Sequence, residues 1–198
     1  MKIKNLYIYG DSLVSCKNIP FNYKWTHLLK EKINKNISVI IKNIDGVTTT
    51  EAINKMNFKV KKKSLVLVLL GVNDSIYYKS MKRKPLVEIG LFKKNYVKIL
   101  KIILKINKTK VFLINGHKFY RKRLEGNSKT HNNNYLIYIK ALEHISNKMN
   151  VKIINTYNYL NKFSAKKNTL PLPDGLHLSK FGSKKYFEKI FADIKGFL

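Results

Sequence analysis

A chain of 198 residues, 44% of them hydrophobic, has the material for one well-buried core and is short for two ordinary domains, so a single domain over residues 1–198 is expected. Its only cysteine, Cys16, excludes an internal disulfide and a cysteine-based zinc site; the longest apolar run, Leu65 to Leu70, is too short to span a membrane, and a soluble, cytoplasmic protein is expected. Forty Lys+Arg against eleven Asp+Glu give a net charge of +29, which favours an anionic partner (an acidic glycan, an anionic lipid or an acidic protein) unless the lysine excess is compositional in a chain equally crowded with Ile and Asn.

The first apolar run, Ile3 to Tyr9, reads as a buried strand that stops at Gly10-Asp11-Ser12. Phe21, Trp25, Leu28, Leu29 and Ile33 then recur at helical spacing, with His27 beside that face as a core or surface histidine. Ile37 to Ile44 is a second strand, ending at Asp45-Gly46-Val47, and the following threonines are expected to cap a helix from about Glu51 to Lys59. Ser64 to Leu70 is apolar on both faces, as a central parallel strand must be, and stops at Gly71-Val72-Asn73-Asp74. Tyr77 to Lys84 is a basic loop or short helix ahead of Pro85.

A long helix is expected from about Leu86 to Asn107. Phe92, Tyr96, Ile99, Ile103 and Ile106 form its apolar stripe, and Lys94, Lys98, Lys101, Lys105 and Lys108 its basic one. That pattern suits a crossover helix with a solvated back, and also a helix lying on a membrane surface. Lys110 to Gly116 is the fourth strand. The polar segment from His117 to Asn134, with Arg121, Lys122 and Arg123, is long enough for a substrate-facing loop. Tyr135 to Asn150 is helical, Val151 to Asn155 is a fifth short strand, and Ser179 caps a last helix ending near Lys195. Strand and helix alternate throughout, which predicts an α/β domain with one mostly parallel, five-stranded sheet covered on both faces.

Parallel strands deliver their carboxyl ends to one edge, where open α/β sheets bind ligands. Ser12 would stand there after strand one, Gly46 after strand two and Asn73 after strand three. Taken alone, Asp11-Ser12 reads as a helix N-cap. Near the C-terminus, Pro171 and Pro173 stiffen the approach to Asp174-Gly175-Leu176-His177, where the carboxylate can accept from His177 Nδ1–H and leave Nε2 as a base. That is the orienter and base a serine nucleophile requires, and the backbone N–H groups of Ser12 and Gly46 with the Asn73 amide are candidate oxyanion donors. Asp11 and His117, both near the edge, are candidate substrate contacts. No phosphate loop, dinucleotide fingerprint or paired-histidine metal motif occurs.

In order and over nearly the whole chain, Gly10-Asp11-Ser12, Gly46, Gly71-Val72-Asn73-Asp74 and Asp174-Gly175-Leu176-His177 resemble the four blocks of the SGNH hydrolases, the GDSL-type esterase and lipase family. The resemblance implies a flavodoxin-like three-layer α/β/α sandwich, a Ser12–His177–Asp174 triad, and an oxyanion hole from Ser12, Gly46 and Asn73. It implies neither a metal nor an organic cofactor. The expected function is hydrolysis of a lipid acyl or O-acetyl-carbohydrate ester. Two alternatives stay open: acyl transfer to a glycan, and a non-catalytic polyanion-binding module; for localisation, a peripheral position at a membrane surface stays open beside the cytoplasm. Few aromatic residues interleave the basic runs, which argues against single-stranded nucleic-acid recognition, and no specific nucleic acid is expected as a partner.

Overall fold

The structure is a computed structural model and describes residues 2–76, 84–119, 128–163 and 174–198. Five apolar segments form its sheet: β1 (Asn5–Gly10), β2 (Ser38–Asn43), β3 (Ser64–Leu69), β4 (Thr109–Ile114) and β5 (Lys152–Ile154). They lie in the order β2-β1-β3-β4-β5, and every neighbouring pair is parallel. β1 and β3 are buried along their whole length, which explains why neither alternates polar with apolar residues. β2, at one edge, is exposed or half-buried throughout.

The register matters for function. Gly10 pairs with Asn43 of β2 and with Leu69 of β3, so β1, β2 and β3 end flush. The chain leaves β1 toward β2 on one side and later returns to lay β3 on the other. The gap between β1 and β3 is therefore the point where strand order reverses, the place in such a sheet where a crevice opens beyond the carboxyl ends.

Seven α-helices among the described residues cover the sheet: α1 (Ser12–Ser15), α2 (Trp25–Lys32), α3 (Thr49–Lys55), α4 (Ile89–Leu104), α5 (Ser128–Lys148), α6 (Thr156–Asn161) and α7 (Lys180–Ile194). α2 packs on α7, and α6 joins them, in one layer; α3, α4 and α5 pack in series in the other. α4 buries Phe92, Tyr96, Ile99 and Ile103 as its periodicity predicts, and turns Lys94, Lys98, Lys101 and Lys105 outward. Among the described residues no helix is long and apolar enough to cross a membrane.

Several elements differ from expectation for local reasons. Phe21–Tyr23 is a separate 3₁₀ turn, because Lys24 is extended and α2 starts only at Trp25; Trp25 is fully buried while Phe21 points outward. α3 starts and stops early. A capping box between Thr48 and Glu51 sets its start, and extended backbone at Met56 ends it, letting Phe58 bury against Tyr9. α5 begins at Ser128, inside the segment expected to be a loop, and α1 and α6 are too short for helical periodicity to reveal. Ser179 caps α7 as expected, accepting from Gly182 N–H at 3.1 Å. The basic segment Tyr77–Arg83, Arg121, Lys122 and Arg123, and the stiffening prolines Pro171 and Pro173 lie outside the described residues.

Beyond β3 the chain must turn at once, and Gly71 does so at φ +107°, with a Cβ at this position falling 2.7 Å from Phe92 Cε2. Gly71→Ala therefore combines left-handed strain with a ring clash and is expected to destabilise the fold by about 2–4 kcal/mol, read as a lowered midpoint in urea unfolding with unchanged m-value.

Candidate active site

Ser12 is the first residue of α1, and Asp11 caps that helix, accepting from Leu13 N–H at 2.9 Å. The turn is tight enough that a side chain at Gly10 would strike Val14 Cγ2 and Leu69 O, so a glycine here lets α1 fold back over the end of β1. Trp25 Nε1–H donates to Leu13 O at 2.8 Å and holds the helix from below.

On the far side, the loop leading into α7 is wound around one carboxylate. Asp174 Oδ1 accepts from the backbone N–H groups of Leu176 (2.8 Å) and His177 (2.9 Å), and Oδ2 lies 2.6 Å from His177 Nδ1. Partial burial raises the Asp174 pKa, but the hydrogen bonds from His177 and from the two backbone amides outweigh it, and the carboxyl sits below its ordinary value. An ionised Asp174 makes Nδ1 the donor and leaves Nε2 as an acceptor. Ser12 Oγ lies 3.0 Å from that Nε2, across 165 residues of sequence. Ser12, His177 and Asp174 thus form one continuous hydrogen-bonded chain, the geometry in which a histidine can draw a proton from a serine hydroxyl.

Asn73 stands in a 3₁₀ turn just after β3. Its Nδ2 donates to Asp11 Oδ2 at 3.0 Å and to Val47 O at 3.1 Å. One amide therefore touches the residue before Ser12 and the residue after Gly46, and the loops beyond β1, β2 and β3 meet on it. Gly46 adopts φ +73°, and Ile44 N–H donates to Gly10 O at 3.1 Å, keeping the β2 loop against the β1 turn. The neighbouring Asp74 accepts from Thr49 N–H and Thr49 Oγ1–H at the start of α3, and burial lifts its pKa to about 6.

The two expected substrate contacts sit deeper than the surface. Asp11 is completely buried, and its carboxylate faces Leu13 and Asn73 rather than open space; burial pushes its pKa up to about 7 against the hydrogen bond from Leu13. His117, just past β4, is 3% exposed. Its Nε2 lies 2.7 Å from Leu176 O, so that nitrogen carries the proton, and Nδ1 faces the Tyr186 hydroxyl at 3.2 Å. Burial lowers the His117 pKa to about 4, which keeps the ring neutral. His117 is a latch for the Asp174–His177 loop. Sequence reasoning placed it at the right edge of the sheet; the missing signal was Tyr186, a partner on α7 that only the fold supplies.

The comparisons with known proteins agree with this architecture. The family model described as GDSL-like Lipase/Acylhydrolase matches residues 6–190. No curated protein matches the chain by sequence. Among solved structures, a catalytic mutant of an acetylxylan esterase from Geobacillus stearothermophilus superposes with a TM-score of 0.76 at 16% identity, covering 98% of this chain and 96% of that one. A phospholipase A1 from Streptomyces albidoflavus gives 0.71 at 13% identity, with 96% and 99% covered. A lipolytic protein of the G-D-S-L family from Veillonella parvula gives 0.71 at 14% identity, with 96% and 98% covered. At these identities the likeness establishes the fold.

The buried Asp11 carboxylate makes stability depend on pH in a known direction. Its folded pKa of about 7 lies above the ordinary 3.8, so the folded chain binds the proton more tightly and the group's contribution is lost as pH rises from about 4 to about 7. Compared with Asp11→Asn, which does not titrate, the wild type is expected to lose roughly 2–4 kcal/mol of relative stability across that interval in parallel urea titrations. A difference that stays flat with pH would show that Asp11 keeps an ordinary carboxyl pKa.

Proposed function

The chain belongs to the GDSL-like lipase/acylhydrolase family, and from that premise we propose that it is a carboxylic ester hydrolase working through Ser12, His177 and Asp174. The observation that carries the reading is the contact of Ser12 Oγ with His177 Nε2, backed by Asp174 on Nδ1. In this reading Ser12 Oγ attacks the ester carbonyl while its proton passes to His177 Nε2. The tetrahedral intermediate collapses as that proton moves to the leaving alkoxide oxygen, freeing the alcohol and leaving an acyl-serine. Water then adds with His177 again taking the proton, the acid departs, and Ser12 regains its hydrogen. Asp174 stays ionised throughout and stabilises the imidazolium.

The oxyanion would lie against the backbone N–H groups of Ser12 and Gly46 and the Asn73 amide. Both hydrogens of that amide are engaged, one on a carboxylate and one on a neutral carbonyl. With Asp11 ionised, above its pKa of about 7, the bond to its carboxylate is the stronger of the two. A developing oxyanion therefore draws the hydrogen that faces Val47 O, while Asp11 keeps the other and fixes the amide plane. The acetylxylan esterase and the phospholipase A1 to which the fold is similar are both named for ester substrates, in keeping with the reaction class proposed here.

Ser12→Ala is expected to abolish labelling by a fluorophosphonate probe that labels the wild type; an unlabelled wild type would refute the serine-hydrolase reading. Asn73→Ala is expected to lower kcat on a soluble acyl ester by about 10²-fold or more, with KM changing far less, as the loss of one oxyanion donor requires. Near-wild-type turnover would remove Asn73 from the oxyanion site.

A further inference from the structure

The fold gathers an aromatic and lysine patch that chain order keeps apart. Phe21 and Tyr23, in the 3₁₀ turn before α2, are 67% and 42% exposed, and Phe181 at the start of α7 is 40% exposed. The two segments are held together by Trp25 N–H, which donates to Ser183 Oγ at 2.8 Å. Lysines sit over these rings: Lys180 Nζ is 4.5 Å from the centre of Tyr23, and Lys185 Nζ is 5.5 Å from that of Phe181 and 4.9 Å from that of Phe163. No Asp or Glu lies between Lys17 and Lys30 or between Gly175 and Phe187; Glu188 follows and pairs with Lys185 at 2.7 Å, leaving Lys24, Lys180 and Lys184 as the cations of the patch. Exposed large apolar side chains grouped in this way, in a cationic frame, call for a partner that is apolar beneath an anionic surface.

We propose that the patch formed by Phe21, Tyr23 and Phe181 with Lys24, Lys180 and Lys184 docks the protein on an anionic lipid surface. Phe21 and Phe181 have no hydrogen-bonding group, so what they gain from a partner is apolar burial, which an acyl layer gives and a sugar or nucleotide edge gives poorly. Tyr23 suits the headgroup level, where an amphipathic ring has both environments. Lys180 sets its ammonium over the Tyr23 ring, and the exposed Lys180 and Lys184 with the half-buried Lys24 supply cations at the level where lipid phosphates lie. The patch is built on the segment that leads into Trp25, whose ring is bonded to α1, and on the first turn of α7, the helix that follows the loop carrying His177. The basic stripe of α4 lies in the opposite helix layer. The proposal concerns attachment and holds whether or not the bound protein cleaves an ester.

Co-sedimentation with phosphatidylglycerol vesicles, and with phosphatidylcholine vesicles alone, tests it. Wild type is expected to sediment with the first and not the second, less so as salt rises. Phe21→Ser combined with Phe181→Ser is expected to weaken partitioning by about tenfold or more. Lys94→Glu, Lys98→Glu and Lys101→Glu together, in the far layer and beyond a Debye length from the lipid, are expected to leave it within about twofold. Phe21→Trp supplies a reading that does not depend on how the serine variant folds: its emission should shift to the blue on addition of phosphatidylglycerol vesicles. Failure to sediment, equal losses from the α4 substitutions and the patch substitutions, an unshifted Phe21→Trp emission, or capture of an RNA oligonucleotide in preference to vesicles would each overturn the proposal. Turnover of a soluble ester is measured separately, so its absence would sink the esterase reading and leave the docking result standing.

Discussion

A fully buried carboxylate, Asp11, ties together the loops at the carboxyl end of the sheet. Taking an ionised carboxylate out of water is costly unless hydrogen-bond donors replace the water, and Asp11 meets that demand with Leu13 N–H and the Asn73 amide. The first bond fixes the start of α1, and so the position of Ser12. The second reaches across to the turn after β3, and through the same amide to Val47 beyond β2. Asp74, next in sequence, ties that turn to α3 through Thr49. Two buried acids on adjacent turns therefore hold three loops whose strands already end flush. Both have pKa values lifted by burial, the signature of groups retained at a cost in stability near neutral pH.

The sheet and its site were legible because they depend on short-range signals. Leu65 to Leu70 can only be a strand buried on both faces, and an apolar strand that halts at Gly-Asp-Ser or Gly-Val-Asn-Asp marks its own end. Once all strands are parallel, the places where they halt share an edge, and Ser12, Gly46 and Asn73 are neighbours without any tertiary information. The pairing of Asp174 with His177 is equally local, three residues apart on a turn. What the sequence left dark were contacts made across the layers. His117 has no feature in the chain that separates a histidine facing substrate from one bonded to Tyr186 and Leu176; its burial decides, and burial belongs to the fold. Asp11, likewise, is known as an internal tie only once Asn73 is found against it.

Helix boundaries failed where apolar residues serve two purposes. Phe21 has the right spacing to extend the buried face of α2, yet it lies before the extended Lys24 and turns outward. Met56 and Phe58 continue the apolar pattern of α3, yet the backbone straightens and Phe58 covers Tyr9. Periodicity counts apolar positions without saying which surface claims them.

The same ambiguity bears on the charge. Along the chain, lysines appear in runs with few aromatic residues among them, which suggests a uniformly solvated cation. In the folded molecule the two helix layers differ: the layer of α4 and α5 exposes single aliphatic side chains, Leu91 and Ile137, beside its lysines, while the layer of α2 and α7 shows lysines over exposed aromatic rings. A net charge of +29 attracts any anion from a distance, but it orients nothing by itself. Orientation needs a short-range term confined to one face, and exposed phenyl groups at Phe21 and Phe181 supply one, because their burial falls to nothing within a contact distance while the Coulomb attraction reaches about a Debye length further. The uneven placement of aromatic residues, more than the number of lysines, is what gives this cation a front, and that front is built on the two segments that hold Ser12 and His177 in place.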